Sequence, residues 1–202
     1  ARTLESVYTY VNHFVLGNHD AVAAGKIDPA CFNDDARQLI AWTCEQLDPQ
    51  ASAFFAGLPL VLESEDCMFV HADPADPGSF GYLLDAEDTE EGWHAQDRQL
   101  SFIGHSHVPQ IFVLGPSGTP HALPPQDFGM EEHKRYIVNT GSVGSPRDGD
   151  VRASYVIHDT EKKDVIFRKV VFDLHLFREE LAAQNLSEKP SYFLAVADQM
   201  NR

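Results

Sequence analysis

The sequence predicts an α/β (α+β) fold of two packed mixed β-sheets flanked by helices, an αββα sandwich, and three observations predict it. Short apolar runs bounded by Gly, Asp and Pro recur from residue 58 to residue 173, which is the punctuation of strands. Helical periodicity is confined to a stretch at 34–47 and to segments near the C-terminus, so helices flank a region dominated by strand. Several apolar runs end directly in Asn, Asp or His, as if their ends shared one rim.

Each element follows in order. After a short helix-like opening, VNHFVLG (11–17) reads as a buried strand ending on Gly17, with Asn18, His19 and Asp20 on the turn beyond it. From Asp34 to Leu47 the positions Ala36, Leu39, Ile40, Thr43, Cys44 and Leu47 recur at helical spacing, with Asn33 or Asp34 as N-cap, predicting an amphipathic helix over a sheet. LPLVLES (58–64) and CMFVHA (67–72) predict a hairpin whose second strand exits at His71. Residues 73–99, rich in Asp, Glu, Pro and Gly, read as a partly helical excursion and a candidate lid. LSFI then leads into GHSH (104–107), placing His105 and His107 at a strand exit. QIFVLG (110–115) is a further strand, and 116–133, with its four prolines, reads as turn material. Strands are expected at 134–141, 153–159 and 164–173, paired antiparallel because their turns are short. C-terminal helices are expected at 174–186 and 191–200, and the whole of 1–202 reads as one domain.

Composition narrows the function. No run approaches the roughly eighteen apolar residues of a membrane span, and the N-terminus lacks the order of a signal peptide, so a soluble, cytoplasmic protein without a membrane partner is expected. A formal charge of −16 disfavours bulk nucleic-acid binding and requires a local positive centre for any anionic substrate. Cys31, Cys44 and Cys67 show no CxxC spacing and read as small buried hydrophobes, which argues against disulfides and thiolate zinc. Four polar clusters at strand ends remain: Asn18–Asp20, His71, His105–His107 and Asn139–Ser142. Imidazole with carboxamide or carboxylate, and no thiolate, suits Zn, Mn, Fe or Ni better than calcium.

GNHD (17–20), the His of FVHADP (69–74), GHSH (104–107) and NTGSVGSPRDGD followed by ASYVIHD occur in an order that resembles the calcineurin-like metallophosphoesterase superfamily, in particular its small prokaryotic phosphodiesterase-type members. The resemblance implies hydrolysis of a phosphoester small molecule by a metal-activated hydroxide, with two divalent transition metals (Mn, Fe, Zn or Ni). It implies Asn18, His71 and His105 as ligands of the second metal and His107 as a ligand of the first. His19 would be a general acid or substrate clamp, with Asp20 orienting its ring, and Arg147 a candidate substrate contact. On an extended turn residues i and i+2 face the same way, so His105 and His107 are expected to reach adjacent ions while Ser106 points elsewhere.

The family's D-x-H and G-D motifs are missing before GNHD, and the sixteen residues before Gly17 contain no aspartate. The expectation is therefore an N-terminally incomplete fold with one metal or none, and impaired activity. The alternative is a non-catalytic protein-interaction scaffold on the same fold. An uncovered sheet edge also predicts self-association.

Overall fold

A computed structural model describes residues 2–186, so the helix expected at 191–200 lies outside the described residues. The chain begins with four helices: α1 (Arg2–Tyr10), α2 (Asn18–Ala23), α3 (Asp34–Gln46) and α4 (Pro49–Ala56). Caps explain where the last two start. Asn33 Oδ1 accepts from Ala36 N at 2.9 Å, and Asp48 Oδ1 accepts from Ala51 N at 2.7 Å with Pro49 behind it at the first helical position. The α4 helix had no expectation attached to it, although Asp-Pro before a short apolar run is a helix-start signal.

Four expectations fail in this region. Residues 11–17 are not a strand; the segment runs beside the chain leading into the first strand, with Leu16 N donating to Pro59 O at 2.8 Å. Asn18–Asp20 therefore open the α2 helix instead of lying on a strand-exit turn. The α3 helix packs on α2 and buries only Ile40, so it does not cover a sheet. Cys31 and Cys44 are exposed, and only Cys67 is a buried hydrophobe; all three are free thiols.

The strands are β1 (Val61–Glu63), β2 (Cys67–Val70), β3 (Leu100–Ile103), β4 (Gln110–Leu114), β5 (Pro120–Leu123), β6 (Phe128–Gly129), β7 (Arg135–Asn139), β8 (Ala153–Asp159) and β9 (Asp164–Val170). The α5 helix (Glu90–Ala95) precedes β3, and α6 (Leu174–Ala183) follows β9. Six strands form one mixed sheet in the order β1-β2-β3-β7-β4-β5, and three form an antiparallel sheet in the order β6-β9-β8. The αββα class is thus present, with one sheet mixed and the other antiparallel.

Antiparallel pairing holds for β1·β2, β4·β5, β4·β7 and both pairs of the small sheet. The expected pairing of 134–141 with 153–159 fails, because β7 and β8 lie in different sheets, and the centre of the large sheet is parallel at β2·β3 and β3·β7. Parallel neighbours need a long crossover. The 73–99 excursion, which contains α5, supplies one, and β4 to β6 supply the other. Within 116–133, read as turn, β5 and β6 form: Pro120 is tolerated because it opens an edge strand, where a missing N–H disrupts least.

The core has two layers. Leu100, Phe102, Ile111, Val113, Tyr136 and Val138 face the small sheet and enclose Val165. On the opposite face Met68, Val70, Ile103, Phe112 and Ile137 pack against Trp93 of α5 and Leu83. Fully burying side chains of this size is worth about 1.5–3 kcal/mol each. Arg135 ties α5 to the sheet by donating to the Trp93 and Gln96 carbonyls, which satisfies acceptors at the helix end. In this parallel centre β2, β3 and β7 all point the same way, so His71, Gly104 and Thr140 leave the sheet at one edge.

Candidate metal centre

That shared exit is the reason the sequence clusters meet. His71 directly follows β2, and GHSH directly follows β3. Gly104 N donates to His71 O at 3.0 Å, and Thr140 N donates to Ile103 O at 3.0 Å, continuing the parallel ladder past the strand ends. The α2 helix then brings Asn18 across from the other side. His71 Nε2 lies 3.1 Å from Asn18 Oδ1 and 3.2 Å from His105 Nδ1. Of the seven expected site residues, His71 therefore contacts two, Asn18 and His105.

Gly17 has a steric reason to be glycine. A Cβ there would come within 3.1 Å of the His71 ring and of Asp20 Oδ2. Asp20 Oδ2 accepts from Gly17 N at 3.0 Å, closing the first turn of α2. This differs from the expected role for Asp20: its carboxylate holds the backbone that precedes Asn18, and the His19 ring instead packs on Phe32 at 4.7 Å between centroids.

The GHSH turn is also not extended. His105 and His107 have φ of 58° and 63°, in the left-handed region, and Ser106 N donates to Gly104 O at 2.7 Å. Non-glycine residues pay of the order of 1 kcal/mol or more each for this conformation. Left-handed backbone at both positions, with Ser106 turned inward, is what aims the two rings to the rim. The sequence marks Asn139 only as part of a strand-end polar cluster, without the role it has in locking this turn. Asn139, 1% exposed, donates through Nδ2 to Gly104 O at 2.7 Å and to Ser106 Oγ at 2.8 Å, while its Oδ1 accepts from Gly141 N at 2.9 Å. The signal was an amide side chain ending an apolar strand beside Thr-Gly, a place where a buried amide has backbone to satisfy. Gly141 has φ of 78°, and a Cβ there would meet the Ser154 side chain at 2.9 Å, so only glycine fits.

His107 stands slightly apart. Its Nδ1 donates to Ser145 O at 2.8 Å, which leaves Nε2 with a free lone pair. Arg147 N donates to His107 O at 3.1 Å, and the Arg147 charge acts on His19, His105 and His107, so Arg147 belongs to this neighbourhood.

The electrostatics favour lone pairs over protons. Burial, then the neighbouring His105, His107 and His19, push His71 down to about 3. Burial, then His107, Arg147 and His19, push His105 down to about 4, against a hydrogen bond to the Phe80 backbone that raises it. Burial and Arg147 push His107 down to about 4. His19 is lowered by burial and by Arg147, and burial raises Asp20 against the Gly17 hydrogen bond. At neutral pH the three rings are thus neutral, each with one N–H and one lone pair. A proton on His71 Nε2 can serve either Asn18 Oδ1 or His105 Nδ1, but a cation would satisfy all three atoms. Bonds of about 2.0–2.2 Å place adjacent donors about 2.8–3.1 Å apart at octahedral angles and about 3.3–3.6 Å apart at tetrahedral ones, and the observed 3.1 and 3.2 Å lie within that span. Asn18, His71 and His105 therefore fit a divalent transition metal. Among the described residues no group of three or more His, Cys, Asp or Glu is placed to hold one, so the set depends on the asparagine.

Lone-pair donors thus gather at the exit of the parallel sheet centre, on a two-sheet αββα scaffold. The sequence profile of the calcineurin-like phosphoesterase superfamily domain matches residues 2–163, and the chain belongs to this superfamily. An uncharacterised protein of Methanocaldococcus jannaschii, MJ0912, is 33% identical over 178 residues, covering 86% of this chain and 71% of its own. The crystal structure of a metallophosphoesterase from Sphaerobacter thermophilus is similar with a TM-score of 0.81 and 30% identity, over 96% of this chain and 81% of that one. A hypothetical protein of Pyrococcus horikoshii OT3, PH1004, shares the fold with a TM-score of 0.69 at 16% identity, over 96% of this chain and 76% of that one. Among the described residues no helix is long and apolar enough to cross a membrane.

Proposed function

We propose that this chain hydrolyses phosphomonoesters or phosphodiesters of small molecules, using divalent transition cations held by Asn18, His71 and His105 and, at a neighbouring position, by His107. The observation that carries the reading is the pair of contacts from His71 Nε2, 3.1 Å to Asn18 Oδ1 and 3.2 Å to His105 Nδ1. Divalent cations bound there supply neutralisation of the phosphoryl oxygens and an activated water.

The chain's own residues do the rest. Arg147 adds positive charge beside the rim of a protein whose net charge is −16, and so attracts the anionic phosphoryl group. His19 is poised for the leaving oxygen. Its proton affinity is lowered first by burial and then by Arg147; a phosphoryl anion beside the ring would offset the Arg147 charge and favour a proton on the imidazole, for transfer to the leaving oxygen as the ester bond breaks. Asp20 holds the start of α2 and thereby the positions of Asn18 and His19.

Turnover by this chain is slow, because among the described residues His107 is the one protein ligand assigned to its cation. The absence of a three-member His, Cys, Asp or Glu cluster among the described residues is also the observation favouring the second reading, a protein-interaction scaffold. Hydrolysis of a chromogenic phosphodiester with added Mn²⁺ tests the proposal. Turnover that chelator and His71→Ala both abolish supports it; a chain that neither binds Mn²⁺ nor turns over leaves the scaffold reading in its place.

A further inference from the structure

The excursion between β2 and α5 touches the candidate metal centre through residues that the chemistry above does not use. Tyr82 lies over the His105 ring with centroids 4.1 Å apart and planes tilted by 32°. Two residues earlier, the Phe80 backbone is hydrogen-bonded to the same ring, and the Phe80 side chain meets His71 edge-on at 6.0 Å. Both donor rings are therefore gripped by one three-residue stretch, Phe80-Gly81-Tyr82.

The stretch is itself anchored. Leu83, 4% exposed, sits in the core with Met68, Val70 and Trp93, so the chain alternates from Tyr82 at the site to Leu83 inside. Upstream, Asp73 accepts from Ala75 N at 2.8 Å, and a Cβ on Gly81 would lie 3.7 Å from Asp73 Cβ, so the loop folds back on its own start. Phe80 takes a φ of 55°, a left-handed conformation that a non-glycine residue holds only where its surroundings impose it. A buried anchor downstream, a fold-back upstream and a left-handed residue between them hold the stretch in place.

We propose that Tyr82 is a positioning residue for the cation site: its ring, with the Phe80 backbone, holds the His105 imidazole in the orientation that points Nδ1 at His71 Nε2 and Asn18 Oδ1. This rests on the cation-binding reading above. A ligand ring free to rotate must be ordered when the metal binds, whereas a ring clamped from its face and from one nitrogen is ordered beforehand; groups that orient ligands in this way typically change metal affinity by about 10–100-fold. Because the grip is made by a ring face and not by the phenol oxygen, phenylalanine should replace tyrosine.

Titration calorimetry with Mn²⁺ on the full chain tests this, using Tyr82→Ala, Tyr82→Phe and, as a control, Leu84→Ala, which alters an exposed residue of the same segment. The expected result is a loss of about ten-fold in Mn²⁺ affinity for Tyr82→Ala, with Tyr82→Phe and Leu84→Ala like the parent and the metal-free melting temperature of all four within a few degrees. Equal affinity of the parent and Tyr82→Ala overturns the positioning role while leaving the cation site intact. An equal loss in Leu84→Ala overturns it too, since the effect would then belong to the loop at large. Absence of Mn²⁺ binding by the parent itself overturns both this inference and the proposed function.

Discussion

The two corners of the strand-exit rim are built differently. Around His71, one ring nitrogen has two lone-pair neighbours at 3.1 and 3.2 Å, the rings are clamped by aromatic groups, and Gly17 leaves no slack behind them. Around His107, one ring is fixed by Ser145 O and faces Arg147, a positive group, instead of further donors. On the proposed reading, the first corner would be organised for a cation before one arrives. The second has an oriented ligand and a charge suited to phosphate. The difference teaches that preorganisation lies where three separate elements, α2, β2 and β3, converge, and not merely where histidines are dense.

Removing one ligand from each corner sharpens this contrast most. His71→Ala should abolish measurable Mn²⁺ binding, a loss well above the roughly 100-fold ceiling typical of groups outside the ligand shell, whereas His107→Ala should leave the tighter site within a few-fold of the parent. Comparable losses in calorimetry would erase the distinction between the corners. Asn139→Ala should come next. It leaves Gly141 N without its acceptor and takes one of two partners from Gly104 O and from Ser106 Oγ, for a cost of about 1–3 kcal/mol in urea unfolding and a weaker Mn²⁺ isotherm, because the GHSH turn loses its lock.

Acid should also act mainly on the His71 corner. In the unfolded chain each histidine titrates near 6.5, while in the folded protein His71 is held at about 3 and His105 and His107 at about 4. Folding excludes those protons, so the metal-free protein is at full stability above pH 6.5 and loses it as pH falls toward 4, by up to about 1.4 kcal/mol per pH unit per ring. Urea midpoints between pH 7 and pH 4.5 measure the slope, and it should flatten in His71→Ala. A slope unchanged by that substitution would mean that the buried rings are not its source. The smallest effect expected is from Arg147→Ala. Deleting the guanidinium should raise the titration midpoints of His107, His105 and His19, read by NMR of the ring protons, with the largest change at His107.

Much of this arrangement was legible in the sequence, for reasons that differ by residue. Strand exits at His71 and GHSH could be read because apolar runs end on them, and the parallel register then brings them together. Residues 11–17 misled because an apolar run ending in glycine has the same pattern whether it pairs as a strand or only lies against a neighbouring loop; pairing is decided by partners far along the chain. Central parallel pairing was hidden for the same reason, since short turns suggest hairpins and say nothing about which strand fills the gap between β3 and β4. The geometry of GHSH was out of reach too. An extended turn and a left-handed one both bring alternate residues to one rim, and only the buried Asn139 amide selects between them. Asp20 shows how local bonding overrides motif logic, its carboxylate going to the nearest backbone donor, Gly17 N.

The central claim is that Asn18, His71 and His105 together hold one divalent cation. Anomalous diffraction from crystals grown with Mn²⁺ tests it most directly. The account predicts a manganese peak within about 2.0–2.3 Å of Asn18 Oδ1, His71 Nε2 and His105 Nδ1 at once. A peak that excludes Asn18, or crystals with manganese only at surface carboxylates, would contradict it.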